Sequence, residues 1–531
     1  MSTKRVAYSS SGTGRVIAVF VTALLAALAG SAHAATQYAT GNFIWNNGIT
    51  AKWGPSGGPY TSVWTTGNDA VFQGTAGTVS VAATEATAHN LTFTTTGFKI
   101  SSGTLTLNAA TPTISTGTGI TATINSVIAG TAGLTKSGAG TLILGGSNSY
   151  TGTLAIDAGI LSVANLADSG TGSNGDGAIK IGSGTNTSEL IYTGSGATLT
   201  RQINLAGSSG GGKITNNSVT GTLDFTNANF FSAVAIGAKT LTLQGSNGGT
   251  ISGKIEDGGG NVKLTKAGAG TWTLTGSNTY TGATTINEGT LEIGNGNTTG
   301  SLSTSSSITN NGMLAFNRSN TITQGTDFNS SISGTGGVVQ KGSGTTIFTG
   351  SNDYAGTTTV SAGTLLVNGS IDGTGEVLVE SGAILGGTGY IAGAVNVSGT
   401  LAPGNGSGIG TLSFGQTLSL SDLAIFEIDP NLALGLNADL ANVIGDLSYG
   451  GHLNVVALNN TFAAGMQFKL FEAATYNGSF TMPITLPVLP IGWYWVDELT
   501  TNGTLTVIPE PGAALLGGIG MLLLLRRRRS A

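Results

Sequence analysis

The 531 residues include no cysteine, so disulfide frameworks, thiolate metal sites, iron–sulfur clusters and cysteine nucleophiles are all excluded. Charge is scarce too, with only 8% of residues Asp, Glu, Lys or Arg, and proline numbers just 10. No stretch between Ala35 and Ile508 sustains the 3.6-residue apolar stripe of a helix. What abounds is glycine, 88 residues, more than twice the average share of about 7%. These glycines keep no three-residue period with proline, which excludes collagen. With 39% hydrophobic residues the chain has more apolar surface than segments that stay unfolded. Its core must be held by packing and backbone hydrogen bonds.

Both ends read as addresses. Lys4, Arg5 and Arg15 precede or open an uncharged run over 16–28, and Ala32-His33-Ala34 follows. This is the order of a secretory signal peptide over residues 1–34, cleaved between Ala34 and Ala35. The run is shorter than the roughly 18 to 20 residues that span a bilayer. A retained anchor would leave the Ala-His-Ala site without a purpose. At the other end, Pro509-Glu510-Pro511 precedes 14 uncharged residues (512–525) and four arginines, Arg526, Arg527, Arg528 and Arg529. Arginines beside an apolar segment tend to stay on the cytoplasmic side, so this tail would hold an exported body at the membrane.

Between the addresses lie 13 basic and 24 acidic residues, a net charge of −11, and Arg201 and Arg318 are the only arginines. Such a body has no electrostatic footprint for nucleic acid.

That body repeats short alternating segments, such as Thr104-Leu105-Thr106-Leu107, Thr141-Leu142-Ile143-Leu144 and Thr240-Leu241-Thr242-Leu243, separated by glycine, asparagine and serine. Period two predicts strands, and turns this frequent predict stacked coils rather than a sandwich. Three copies of a longer unit align. The first passes through Lys136, Gly140, Asn148, Tyr150 and Gly152 to Gly159. The second passes through Lys266, Gly270, Asn278, Tyr280 and Gly282 to Gly289. The third, from Lys341 through Gly344, Asn352, Tyr354 and Gly356 to Gly363, is one residue shorter between its lysine and its second glycine. In all three, the tyrosine stands ten positions after that glycine and the closing glycine nine positions after the tyrosine.

These features predict an all-β chain: a right-handed parallel β-helix of turns of roughly 20 to 25 residues. Leu142, Leu144, Leu274 and Ile286 would face inward, glycines would supply positive φ at corners, and asparagines such as Asn278 would bond along the axis. Residues 35–110 are expected to form an aromatic-rich N-terminal cap and the first coils. The β-helix proper follows over 111–424, with repeat units near 133–163, 263–294 and 338–369. A β-rich capping module is expected at 425–508 and a sorting tail at 509–531. Trp45, Trp53 and Trp64 in front and Trp493 and Trp495 behind read as covers over the terminal coils. The alternative is a platform for stacking carbohydrate.

Chemistry-bearing residues are sparse. His89 and His452 are isolated, and Glu256, Asp257, Glu288 and Glu292 read as solvated turn acids rather than a converging carboxylate pair. Gly-x-Ser-x-Gly occurs at Ser56 and Ser209, as often as chance supplies it. Glu427, Asp429, Asp439 and Asp446 fit no calcium loop. No catalytic residue, cofactor or metal is assigned.

The Lys-x-Gly-x-Gly-Thr, Gly-Ser-Asn-x-Tyr-x-Gly and Gly-Thr-Leu elements resemble the autotransporter-associated β-strand repeat, or passenger-associated transport repeat. The resemblance implies a secreted β-helical stalk without catalytic residues, serving spacing or adhesion. Here, however, the sorting tail stands where autotransporters carry a membrane β-barrel. That tail is similar to the PEP-CTERM sorting signal of Gram-negative bacteria, which implies Sec-type export, transient membrane anchorage and recognition by an exosortase-like membrane protease. It also implies association with exopolysaccharide or neighbouring cell-surface components. The alternatives are a permanent C-terminal anchor and, for the body, a carbohydrate-active β-helix enzyme.

Overall fold

The computed structural model describes residues 34–510 apart from 84, 168–173, 230, 234–236, 330 and 405–407, and apart from the side chains of 231–233. The expected signal segment up to residue 33 and the tail from Pro511 onward lie outside the described residues.

The period-two segments form strands of two to six residues. In Thr104–Leu107 and Thr141–Leu144 the leucines are buried and the threonines lie nearer the surface. Leu142, Leu144, Leu274 and Ile286 are fully buried, as expected. The strands wind as a three-sided coil. One turn passes through Leu91–Phe93 in an eleven-stranded sheet, Lys99–Ser101 in a thirteen-stranded sheet and Thr104–Leu107 in a three-stranded sheet, before Thr113–Thr116 returns to the first. Pairing between successive turns is parallel and in register. The chain is thus a parallel β-helix with one continuous apolar core from Ala39 to Val507.

Turn length varies, from Ile384 opposite Thr400 to Phe43 opposite Val79. A second thirteen-stranded sheet starts at Ala197–Leu199 and ends at Thr475–Gly478, staggered along the axis from the first. Each ladder of thirteen strands, spaced about 4.8 Å apart, extends roughly 58 Å.

Antiparallel pairing occurs at the two ends. In front, Ala51–Gly54 folds back on Thr36–Ala39, and Ser62–Val63 pairs with Ala51–Gly54. This excursion seats Trp53 against Trp45 and Trp64, with ring centroids 5.1 and 4.4 Å away, and Phe72 continues the stack onto Phe93. The three indoles are at most 1% exposed, so they plug the first turn and offer no face for stacking sugars. The indole nitrogens of Trp45 and Trp53 meet no acceptor, and packing alone holds them.

Behind, the composition changes at Ile425 but the coil does not stop there. Leu423–Ile428, Leu440–Val443, Asp446–Tyr449 and His452–Ala457 extend the parallel ladders. The closing antiparallel sheet consists of Gln467–Lys469, Thr504–Pro509 and Trp493–Glu498. Residues 425–508 therefore hold the last turns as well as the sheet that covers them.

Replacing Trp53 with alanine should destabilise the coil by about 3 to 5 kcal/mol and open the first turn to protease. Denaturant titration with limited proteolysis measures both effects.

Candidate functional site

The repeated unit is a corner, and its spacing is one turn of the coil. Gly159 has φ +73° and lies directly above Gly138 and Gly140, where a Cβ would come within 2.3 Å of the Gly140 carbonyl oxygen. Gly289 (φ +65°) sits in the same way on Gly268 and Gly270, and Gly363 (φ +63°) on Gly342 and Gly344. Gly140, Gly270 and Gly344 are required for close approach to the turn beneath rather than for positive φ, a difference from the expectation that corners need glycine only for its dihedral freedom. Gly152, Gly282 and Gly356 make similarly tight approaches at the next corner.

Each copy closes on itself. Its first strand pairs with its third: Leu134–Ser137 with Leu154–Ile156, Val262–Lys266 with Thr284–Ile286, and Gly337–Gln340 with Thr358–Val360. Its second pairs with its fourth, as Thr141–Leu144 does with Gly159–Val163. About one and a half turns therefore complete two ladders within a single repeat.

Turning the chain this sharply leaves backbone carbonyls inside the corner that need donors. Lys136 lies on the inward face beside Leu134, and its Nζ donates to the carbonyls of Ser137, Gly138 and Ala158 at 2.7, 2.6 and 3.1 Å. Lys266 donates likewise to Ala267, Gly268 and Glu288. In the third copy the buried donor is Gln340, whose amide reaches Gly342 and Gly344. The alignment through Lys341 is thus corrected: Gln340 holds the lysine position, and Lys341 instead pairs at 2.8 Å with Glu292, which lies buried in the strand Thr290–Ile293 rather than in the solvated turn expected of it. Burial pushes the Lys136 ammonium down to about 8. It does the same to Lys266, against a smaller opposing pull from Glu288.

The asparagines tie three turns together. Asn148 accepts from Ile128 N–H on the turn below at 2.8 Å, Asn278 from Ile255 at 2.9 Å and Asn352 from Ile332 at 3.0 Å. Their amides donate upward, to Asn174 Oδ1, Ser301 O and Ser370 O respectively.

The tyrosines are at most 1% exposed. The Tyr280 hydroxyl bonds Thr284 at 2.7 Å and the Tyr354 hydroxyl bonds Thr358 at 2.6 Å. In the first copy Leu154 replaces that threonine, and the Tyr150 hydroxyl is buried without a hydrogen bond. Burial raises all three phenols far above the usual range; nearby Arg201 offsets this in part for Tyr150.

Successive copies enter the coil one side later. The second strand of copy one, Thr141–Leu144, shares its sheet with the first strand of copy two, Val262–Lys266. The second strand of copy two, Thr271–Leu274, shares its sheet with the first strand of copy three, Gly337–Gln340. Tyr150, Tyr280 and Tyr354 therefore lie on different sides and cannot form a ladder along one face.

The remaining candidates do not converge. His89 lies 3.2 Å from Asp69, Glu256 pairs with Lys254, and Asp257 holds the backbone of Thr281 and Val262. Asp439 accepts from Gly410 and Glu427 N–H groups, and burial pushes it up to about 7. Asp429 and Asp446 hold separate turns. Among the described residues no three His, Cys, Asp or Glu side chains gather as a metal site. Ser56 and Ser209 stand at exposed turns, far in sequence from Leu499–Asn502, the helix among the described residues. No described helix is long and apolar enough to cross a membrane. Pro509 ends the last strand opposite Trp493, and the Glu510 N–H donates to Gly492.

Two measurements test the corner. Tyr280→Phe and Tyr354→Phe should each cost about 1 kcal/mol, whereas Tyr150→Phe, which removes an unpaired buried hydroxyl, should be neutral or stabilising. The second is pH dependence. With folded lysines at about 8 and unfolded ones near 10.4, the unfolded chain binds more protons in between, so stability rises with pH above about 8. It turns over near pH 10, where tyrosines ionise in the unfolded chain first. Lys136→Gln with Lys266→Gln, copying the third repeat, should flatten the rising limb in thermal melts.

Comparison with known proteins agrees with this geometry. A family model described as the passenger-associated-transport repeat matches residues 134–163, 264–293 and 338–367. These bounds place Gln340 where Lys136 and Lys266 stand in the other copies. The chain is also similar to a protein described as the adhesin BmaC autotransporter of Brucella suis biovar 1 (strain 1330), at 47% identity over 140 residues. That match covers 25% of this chain and 4% of the relative, so the chain spans a small part of that protein's length. The recurring corner of this β-helix is the passenger-associated transport repeat, the autotransporter-associated β-strand repeat, present in three copies.

Proposed function

We propose that the chain is an exported, non-enzymatic surface protein whose β-helix acts as a stiff spacer and adhesive stalk, associated with exopolysaccharide or neighbouring cell-surface components. The observation that carries this reading is where the repeat places its chemistry. Its lysines, asparagines, tyrosines and closing glycines all serve the interior of the coil. A binding or catalytic unit repeats what it presents, whereas this one repeats what it hides. Likeness to a protein named as an adhesin supports the adhesive role and export.

The route is part of the proposal. Sec-type machinery exports the body, with cleavage between Ala34 and Ala35, and the tail over 512–525 with Arg526 to Arg529 holds it at the inner membrane. An exosortase-like protease then acts near Pro509-Glu510-Pro511 and hands the body to the surface or matrix. Pro509 is fixed by its pairing with Trp493, so the motif starts at the edge of the folded cap.

Protein recovered from the matrix of producing cells should have an intact mass that starts at Ala35 and lacks Arg526 to Arg529, and a deletion strain should adhere less. Arginines still attached to released protein would refute the processing route. Shortened saccharides released from polysaccharide by the purified protein would replace the spacer by a carbohydrate-active enzyme.

A further inference from the structure

Apolar side chains left open to solvent are not spread along the rod. Among the described residues, ten of the fourteen large ones lie between Leu432 and Tyr494. Leu434 is 70% exposed, Val488 89%, and Ile491 fully.

Two loops bring some of them to one place. Leu432 and Leu434 share a shallow cleft with Gly465 and Met466. Gly465 and Met466 in turn bond Val507 in the last strand, at 2.7 and 2.9 Å. Within three residues of Val507, Pro509 pairs with Trp493, and Glu510 N–H meets Gly492 O at 2.7 Å, which brings Ile491 beside the same strand end. Trp495, opposite Val507, donates its indole N–H to Pro487 O at 2.9 Å, which holds Val488 near the same strand, so the open leucines, Val488 and Ile491 flank the point where the chain departs toward the uncharged run 512–525.

That run has 14 residues, which as a helix would reach about 21 Å, short of the roughly 30 Å hydrocarbon core. The shortfall of about 9 Å matches the depth of 5 to 10 Å to which interfacial apolar groups sink. A rim that settles into the interface allows a short anchor to suffice.

We propose that Leu432, Leu434, Val488 and Ile491 form a lipid-docking rim that seats the C-terminal end of the rod in the headgroup–acyl boundary of a bilayer. The proposal rests on the reading of 512–525 as a membrane anchor. Asp429 and Glu510 beside the rim disfavour an anionic surface, so the lipid is zwitterionic.

The absence of cysteine makes the test direct. The full chain carrying Val488→Cys is labelled with a polarity-sensitive fluorophore and reconstituted by detergent removal into phosphatidylcholine vesicles, with Thr118→Cys on the shaft as control. The label at 488 should shift to the blue and lose about half its emission to bromine-labelled lipid at the interface, while that at 118 does neither. Adding Leu434→Asn and Ile491→Asn should abolish the shift while the chain still floats with the vesicles. Flotation without a shift in the parent overturns the rim and leaves the anchor standing. Failure to float overturns the anchor and the rim with it. A shift that appears without lipid and grows with protein concentration identifies a contact between copies and overturns lipid docking.

Discussion

The coil depends on backbone lying directly on backbone at its corners. Where Gly159, Gly289 and Gly363 rest on the glycines one turn earlier, the gap cannot hold even a methyl group. This contact fixes the turn length within each copy, since both intervals flanking the tyrosine must add to one circuit of the chain. Turn length then sets the register of the adjoining ladders, and register decides which residues face inward. A side chain at any of these three positions would have to push two turns apart, disturbing hydrogen bonds on both.

Closing so tightly has an electrostatic cost, because carbonyl oxygens are left inside the corner. The copies meet it differently, with a lysine twice and a glutamine once. The ammonium supplies more donors but has to be desolvated, which is why its proton is held less firmly than in water. The glutamine makes fewer bonds without that penalty and is itself held by Thr346, whose hydroxyl donates to Gln340 Oε1 at 2.6 Å. The tyrosine position varies in the same way, with a hydroxyl satisfied by threonine in two copies and stranded opposite Leu154 in the other. The architecture of the corner is common to the copies while its local accounts are settled separately.

Much of this was legible in the sequence. Alternation in Thr141–Leu144 and in Thr104–Leu107 declared strands, and the invariant spacing from Gly140 to Gly159 declared a circuit. Trp53 and Trp64 were readable as a cap because bulky residues cluster near one end of an otherwise fine-grained text. Gln340 was missed because Lys341 beside it invited alignment by residue type. The better guide was the face: Val338 and Gln340 share the inward side, as Leu134 and Lys136 do, and a polar residue there had to be a donor to the corner. The extension of the coil past Ile425 was hidden by composition, since longer turns carry more loop and dilute the threonine–glycine texture. The exposed loops near Leu434 and Ile491 carry no periodic signal, and only three-dimensional closure brings them together.

The offset of each copy by one side of the prism bears on how the rod carries load. A beam reinforced along a single edge has a preferred plane of flexure and yields toward its unbraced edges. Here the braced corners of the three repeats are distributed around the circumference as well as along the axis, like stays set at different bearings on a mast. Resistance to a sideways pull is thereby shared among directions, so a shaft built this way needs no particular orientation toward the load that bends it.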